Sequence, residues 1–316
     1  MIKKFLHVLP LFFILFFGLS QDSKASHLMG GEITWECTGS GQYIIRFSVY
    51  RDCSGATISP EQSGDLILHN YPNFGDRRNL TQGSTAGVNE IAANWGNSGA
   101  DSEIAPECRG GSPINCNSGV FRGLAVFEYL RETDPITLAG IPPAEGWIIT
   151  YDDNARNSTD NLPSSGITLR AKILPHSGSL AGQCVDNSPK FREKPTSLIC
   201  NNQNFTYNHN ATDVELDSIV YEWGKPLSQV GDAQNNVFRE GIYPIALIFT
   251  NGYSFNNPFP GPELLDPNTG EITLSPNAGG KYVSVIKVSA YKCGEKVAEI
   301  YRELQSVVSN DCVVTN

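Results

Sequence analysis

The chain has 316 residues, with 33 acidic against 23 basic side chains and a formal net charge of −10. This acidic balance argues against nucleic-acid binding, because it repels a phosphate backbone. Glycine (30) and proline (19) are plentiful and methionine (2) is scarce, a composition typical of many short strands joined by turns. The length favours two domains.

Residues 1–25 predict a signal peptide. Lys3 and Lys4 precede an apolar run from Phe5 to Leu19. Ser23-Lys24-Ala25 then forms a small-x-small cleavage site. The run is shorter than the roughly 20 apolar residues of a bilayer span, so an uncleaved anchor helix is the weaker alternative. No later segment of the sequence approaches spanning length. We therefore expect an exported chain at the cell surface or outside the cell, without a membrane span after cleavage.

All eight cysteines follow the predicted cleavage site, and an even number in an exported chain predicts disulfides. A cysteine metal site is the weaker alternative, because the sequence has no CxxC motif and no cysteine–histidine cluster at ligand spacing. Eight cysteines permit about a hundred connectivities, so spacing gives only a preference for short loops. The preferred pairs are Cys37–Cys53, Cys108–Cys116, Cys184–Cys200 and Cys293–Cys312.

The region 26–180 predicts an N-terminal β-rich domain. It opens with a hairpin in which Ile33–Glu36 and Tyr43–Tyr50 flank the turn sequence Thr38-Gly-Ser-Gly41. Asn, Gly, Ser and Asp dominate residues 70–118, which indicates long loops. The further predicted strands are Leu66–His69, Val120–Leu130, Ile136–Leu138, Trp147–Tyr151 and Ile167–Leu174.

Residues 181–190 lack apolar periodicity and predict a linker to a second domain at 191–316. Short strands separated by turn residues in that second region favour an antiparallel, Ig/cadherin-like β-sandwich. The fold class expected for the whole chain is therefore all-β, with two antiparallel sandwich modules. The strands predicted after the linker are Phe205–Tyr207, Ile219–Trp223, Ile245–Thr250, Ile272–Leu274, Tyr282–Ala290 and Val297–Val308.

Three alternating carboxylates form a candidate calcium site. Asp213, Glu215 and Asp217 share one face of an extended segment just before a predicted strand. Carboxylate oxygens are the ligands that Ca²⁺ prefers, and this spacing recurs before a strand in cadherin-like domains. The alternative is that Asp213 and Asp217 cap turns by accepting backbone hydrogen bonds. A second motif, Leu265–Thr273, predicts a hairpin turn at Asp266–Gly270.

Catalytic motifs are missing from the sequence. None of the five histidines lies in an H-E-x-x-H motif, and neither G-x-S-x-G nor a glycine-rich phosphate loop occurs. We therefore predict no catalytic residues and no enzyme, with a glycan hydrolase that uses an unrecognised carboxylate pair as the alternative. Trp95 lies in the polar stretch Asn94–Gly99 and is a candidate contact for a glycan or a partner protein.

Several segments resemble the N-terminal region of large secreted surface proteins of gliding and related Bacteroidota bacteria. The resemblance starts at His27-Leu-Met-Gly-Gly-Glu-Ile-Thr-Trp-Glu-Cys37 and Tyr50-Arg-Asp-Cys53. It is weakest over residues 54–118. It implies export by the type IX secretion system and a gliding-motility-associated or adhesin-like role. The later matching segments are Asp134–Leu138, Pro142–Trp147, Cys200–Asp213 and Ser309–Cys312.

The sequence departs from this family in two ways. Family members generally continue into further repeats and a C-terminal sorting domain, whereas this sequence stops at Asn316, so we expect a fragment of a longer protein. Many relatives also carry a cysteine near the position of Trp223-Gly224, and its absence favours Cys184 as the partner of Cys200.

The expected function is a non-enzymatic, adhesin-type or gliding-associated surface module. Its long loops at 70–118 would contact a surface polysaccharide or an envelope protein. The alternatives are a passive surface stalk and the glycan hydrolase.

Overall fold

The computed structural model describes residues 28–52, 66–71, 77–79, 103–104, 124–130, 135–193, 195–196, 198–229, 238–242 and 244–310. The predicted signal peptide, Trp95, and Cys53, Cys108, Cys116 and Cys312 lie outside these ranges. Over the described ranges the chain forms strands and no helix, which confirms the all-β class. No helix there is long and apolar enough to cross a membrane.

The described ranges contain eighteen strands, numbered here in chain order. They are β1 Leu28–Gly39, β2 Gln42–Asp52, β3 Leu66–His69, β4 Arg77–Asn79, β5 Glu103–Ile104, β6 Leu124–Leu130, β7 Ile136–Thr137, β8 Trp147–Asp153, β9 Ile167–Ile173, β10 Lys190–Phe191, β11 Leu198–Cys200, β12 Phe205–Asn208, β13 Ala211–Thr212, β14 Ser218–Trp223, β15 Glu263–Leu265, β16 Glu271–Leu274, β17 Gly280–Lys292 and β18 Glu295–Ser309.

One large, curled half-barrel sheet contains most of the strands, and β18 is its central member. Along one edge β18 pairs antiparallel with β17 over nearly its whole length. Its other edge pairs in succession with β9, with β1 and, in parallel, with β11. The remaining strands form a two-stranded sheet, β10–β13, and a three-stranded sheet, β12–β16–β15.

Strand pairing crosses the predicted linker at 181–190. Strands β1 and β9 precede that linker and β18 follows it, yet all three belong to the same sheet. The main core likewise combines Trp35 and Trp147 from before the linker with Tyr221 and Ile286 from after it. The two-domain division itself stays a prediction, but the hydrogen bonding does not stop at its boundary.

The β1–β2 hairpin follows from its turn sequence. Ser40 and Gly41 have φ angles of +51° and +71°, the left-handed pair of a two-residue primed turn that matches strand twist. Apolar alternation in β2 is imperfect because both faces of this hairpin are covered. Phe47 lies in the main core, while Tyr50 packs with Met29 and Leu304 in a second cluster.

Most predicted strands occur within a few residues of their expected bounds. Leu66–His69 is confirmed with those bounds, and the turn at Asp266–Gly270 is confirmed as the connection between β15 and β16. The strand predicted at Ile245–Thr250 is wrong. This segment makes only isolated bridges and leaves Ile245 and Ile248 exposed, while Ala246 packs against a small cluster of Ile148, Leu227 and Phe238.

Gly30 provides a test of how tightly β1 packs against β18. Its φ is +138°, and an added Cβ would lie 2.0 Å from the carbonyl oxygen of Glu303. We expect Gly30→Ala to lower the free energy of unfolding by about 3 kcal/mol or more, because two paired strands would have to separate. Chemical denaturation measures this loss.

Gly140→Ala is the matched control. Gly140 also has a positive φ, +102°, but open space surrounds it. Gly140→Ala should lower the free energy of unfolding by only about 1 kcal/mol, because backbone strain is its only cost. Equal losses in the two variants would contradict the assigned strand contact.

Candidate functional site

The candidate site is an acidic cluster made of Asp186, Asp213, Glu215, Asp217 and Lys292. Three separate segments supply these residues: a strap at 184–188, the turn at 213–217 between β13 and β14, and the tip of the β17–β18 hairpin. Short polar contacts connect the three segments. The cluster therefore depends on long-range folding and not on one local motif.

Hydrogen bonds fix the strap against β1. The indole Nε1 of Trp35 donates to the Asp186 carbonyl at 3.0 Å, and the Trp35 backbone N–H donates to Ser188 Oγ at 2.9 Å. The Cys37 N–H donates to Asn187 Oδ1 at 2.6 Å. The second half of the predicted linker is thus held along a strand by buried contacts, and Asp186 has a fixed position.

A disulfide joins the strap to β1 and corrects the predicted pairing. Cys37 bonds Cys184, with Cα atoms 5.9 Å apart and a sequence separation of 147. The predicted pairs Cys37–Cys53 and Cys184–Cys200 are therefore wrong. A preference for short loops fails here because sheet formation brings two distant segments together. Cys200 is also disulfide-bonded, with a partner other than Cys184.

Cys293 is a free, exposed thiol, so the predicted Cys293–Cys312 pair is also wrong. It lies in the two-residue turn between β17 and β18, where Cys293 and Gly294 have φ angles of +51° and +86°. The Cys108–Cys116 pair lies outside the described residues.

Removing the strap disulfide should destabilise the protein strongly. We expect the double variant C37S/C184S to lose about 2–5 kcal/mol of unfolding free energy, because the disulfide closes a long loop. Chemical denaturation of the oxidised proteins measures the loss. C293S is the control and should unfold like the parent; an equal loss in C293S would contradict the assigned pairing.

The 213–217 turn is capped by Asp213. Its Oδ1 accepts hydrogen bonds from the backbone N–H groups of Glu215 and Asp217, both at 3.0 Å. This confirms for Asp213 the capping alternative. Glu215 Oε1 instead accepts from the backbone N–H of Asn187 at 3.2 Å, which ties the turn to the strap.

The predicted calcium ligands are therefore engaged elsewhere. Over the described ranges, no three histidine, cysteine, aspartate or glutamate side chains lie close enough together to hold a metal ion. Asp213 is used by its own turn, and Glu215 by the strap. The residues present do not fit a calcium ion as they stand.

Lys292 is the cation that the cluster contains. Its Nζ lies 2.5 Å from Asp186 Oδ1 and 3.6 Å from Asp217 Oδ2. Burial, with a further contribution from the charges of Glu215 and Asp217, raises the pKa of Asp186 to about 7 despite this ammonium. Asp186 and Asp217 thus share one ammonium, and the Oδ2 atoms of Asp186 and Asp213 are buried without a hydrogen-bond partner.

Stability should depend on pH through Asp186. Its pKa is raised from 3.8 to about 7, so the folded state holds a proton that the unfolded chain releases. The resulting stability is fully present below pH 3.8 and is lost as the pH rises through about 7. Asp186→Asn removes this dependence. The difference in unfolding free energy, variant minus parent, should therefore increase from about pH 4 to pH 7 and stay constant at higher pH.

Chemical denaturation of both proteins at a series of pH values measures this difference in unfolding free energy. Groups that titrate alike in the two proteins cancel in the difference. A difference that does not change with pH would show that Asp186 titrates normally in the fold.

Two aliphatic side chains project beside the cluster. Val214 is 69 % exposed and Leu216 is 90 % exposed. Leu216 also has a φ of +65°, a left-handed conformation that costs a residue with a Cβ about 1–2 kcal/mol. A strained, almost fully exposed leucine is unfavourable for folding alone, and such outliers concentrate at functional positions.

A second group of charges lies on β9 and β18, and its electrostatics indicate a structural role. Lys172 Nζ contacts Glu240 Oε2 at 2.5 Å and Glu299 Oε2 at 2.9 Å. Burial alone would raise the pKa of Glu299, but Lys172 and Lys296 outweigh it and lower that pKa to about 2. Both carboxylates are neutralised by cations, which suits a stable network and not proton transfer.

Sequence reasoning missed Asp186 and Lys292. Asp186 lies in a stretch whose composition indicates a linker, and Lys292 precedes a hairpin turn 75 residues after Asp217. Only Lys292 could have been placed from the sequence. Lys292–Glu295 is a tight-turn sequence between two long apolar strands, which predicts that Lys292 lies at the tip of a hairpin.

Comparison with known proteins gives no match. No family model, no curated protein and no solved structure matches this chain. The all-β class is therefore assigned from the structure alone. Any function has to be argued from the acidic cluster and the surface around it.

Proposed function

We propose that this chain is an exported, non-enzymatic binding module of an adhesin-type or gliding-motility-associated surface protein. It would belong to a longer secreted protein that uses the type IX export machinery, and its strands would form two Ig/cadherin-like modules. The predicted signal peptide and the disulfide Cys37–Cys184 support export. The observation that carries a binding role is the exposed, strained Leu216 beside Val214.

The 213–217 turn has the properties of a contact surface. The Asp213 cap and the Glu215–Asn187 hydrogen bond hold its backbone, so its aliphatic side chains are presented with little mobility to lose on binding. The carboxylate of Glu215, which lies between them in sequence, is exposed as well. An envelope protein with an apolar pocket bordered by lysine or arginine would complement this surface. Polysaccharides are recognised more through aromatic side chains, so a glycan contact at Trp95 is a separate proposal.

A hydrolase is less well supported by the same cluster. Asp186, with its raised pKa and neighbouring carboxylates, has the character of a general acid. However, a general acid must reach the leaving oxygen of its substrate. The side chain of Asp186 is fully buried beneath Lys292, so no substrate reaches it in this arrangement.

A matched pair of leucine variants tests the proposal. Asparagine tolerates positive φ well, so L216N should keep or raise the free energy of unfolding while it removes the aliphatic contact. We expect its binding to intact cells and isolated envelopes of the source bacterium to fall at least about tenfold, the loss of one buried leucine. Flow cytometry with labelled mature protein measures this.

L264N is the control, because Leu264 is also exposed, at 65 %, but lies on β15 in the three-stranded sheet and supplies no part of the cluster. It should bind like the parent. Equal binding by all three proteins would favour a passive stalk, and protease treatment of the envelopes separates a protein partner from a polysaccharide.

A further inference from the structure

We propose that Lys292 and Asp186 form an intramolecular amide bond, which joins the lysine Nζ to the side-chain carboxyl carbon of the aspartate. This bond gives the strap a second covalent connection, beside the disulfide Cys37–Cys184. The proposal concerns how the fold is held together, and it does not rest on the proposed binding role.

The two reacting groups already lie next to each other. Lys292 Nζ is 2.5 Å from Asp186 Oδ1, and the carboxyl carbon is bonded directly to that oxygen. Both side chains come from fixed backbone, because Trp35 holds the strap and Lys292 is paired with Glu295 at the end of the β17–β18 hairpin. A nucleophile held against its electrophile in this way has an effective concentration that is raised by orders of magnitude.

Burial makes the Asp186 carboxyl group a suitable electrophile. Its side chain is fully buried, and burial is the main cause of its raised pKa, about 7. The neutral carboxyl group, which an amine can attack, is therefore easily reached. Glu299 is the contrasting case, since the charges of Lys172 and Lys296 outweigh its burial and lower its pKa to about 2.

Formation of the amide also relieves an unfavourable atom at this site. Asp186 Oδ2 is buried without a hydrogen-bond partner, and a buried acceptor without a partner is costly. An amide has one oxygen where a carboxylate has two, and it is uncharged, so the linked pair needs less solvation than the ion pair. The buried position of the carboxyl carbon also shields the bond from hydrolysis.

The reaction is a condensation that releases one water molecule. A proton first moves from the Lys292 ammonium to the Asp186 carboxylate, which gives a neutral amine and a neutral carboxyl group. The amine lone pair then attacks the carboxyl carbon and forms the C–N bond. One C–O bond breaks, and its oxygen leaves as water with a proton from the amine. Atoms and charge balance, and no oxidant or reductant is needed.

Asp217 is positioned to carry that proton. Its Oδ2 lies 3.6 Å from Lys292 Nζ, and its side chain is only 9 % exposed. A carboxylate beside the attacking nitrogen can accept the proton and return it to the leaving oxygen, and such contacts commonly tighten as the reaction proceeds. The geometry therefore supplies a nucleophile, an electrophile and a proton carrier from three segments.

The bond should form slowly, once in each folded molecule. Burial alone would lower the pKa of Lys292, but its hydrogen bond to Asp186 and the nearby negative charges raise it, so the neutral amine is a minor form. The pH dependence expected for Asp186 belongs to the unlinked pair, because an amide does not titrate. It is therefore measured on freshly folded protein, before the bond accumulates.

Mass spectrometry of the mature chain tests the proposal directly. After full reduction and alkylation, which removes the mass effect of disulfides, parent protein that has been stored folded should be lighter than its sequence by one water molecule. Trypsin should leave Lys292 uncut and release segments 173–190 and 288–296 as one joined peptide. Protein kept unfolded in denaturant should retain its full mass, because the reaction needs the folded contact.

Lys292→Arg is the matched control. Arginine keeps a positive charge beside Asp186, but its guanidinium stays protonated and does not attack a carboxyl group. K292R should therefore retain its full mass. Asp217→Asn keeps the size of the side chain and removes the proton acceptor, so D217N should lose water about a hundredfold more slowly than the parent. Circular dichroism checks that both variants are folded.

Two results would overturn the amide bond. The folded parent could retain its full mass after prolonged storage, or the parent and K292R could lose water alike, which would place the dehydration at another residue. An unchanged rate in D217N would overturn the role of Asp217. None of these outcomes depends on cell binding by Leu216, so this inference and the proposed function fail separately.

Discussion

The fold depends on β18 having a hydrogen-bonded neighbour along both edges. One edge is occupied by β17, and the other is divided among β9, β1 and β11. A strand in that position has no free edge, and both of its faces are buried over most of its length. The N-terminal hairpin, which is made first, therefore completes its sheet only when residues near the C-terminal end of the described chain arrive.

Buried charges on both faces of β18 fix this arrangement. Arg302 pairs with Glu32 of β1, lies 4.0 Å over the ring of Phe191 and donates to the Glu193 carbonyl at 2.9 Å. The next residue, Glu303, faces the opposite side and pairs with Arg156. A shift of β18 by one residue would exchange these faces and leave buried charges without partners, at a cost of several kcal/mol. The ion pairs therefore contribute more to register than to net stability.

Local features of the structure were predictable from the sequence, and long-range ones were not. The Ser40-Gly41 turn, the Asp266 turn and most apolar strands follow from residue preferences over a few positions. The two-residue strands β10 and β13 are too short to show an apolar period, although Phe191 and Ala211 pack against the main core. The candidate site was predicted in part: Asp213 and its turn were found, whereas Asp186 and Lys292 reach the site through pairings that one sequence does not encode locally.

The disulfide Cys37–Cys184 also determines how the chain would carry a tensile load. A folded chain that is pulled from its ends unravels from the ends inwards, and a covalent link stops the unravelling where it is met. The chain between the two cysteines, 147 residues in separation, could otherwise extend to about 500 Å at the maximum reach per residue. With the link intact, force passes through the disulfide from β1 to the strap, and the chain between the two cysteines is not extended.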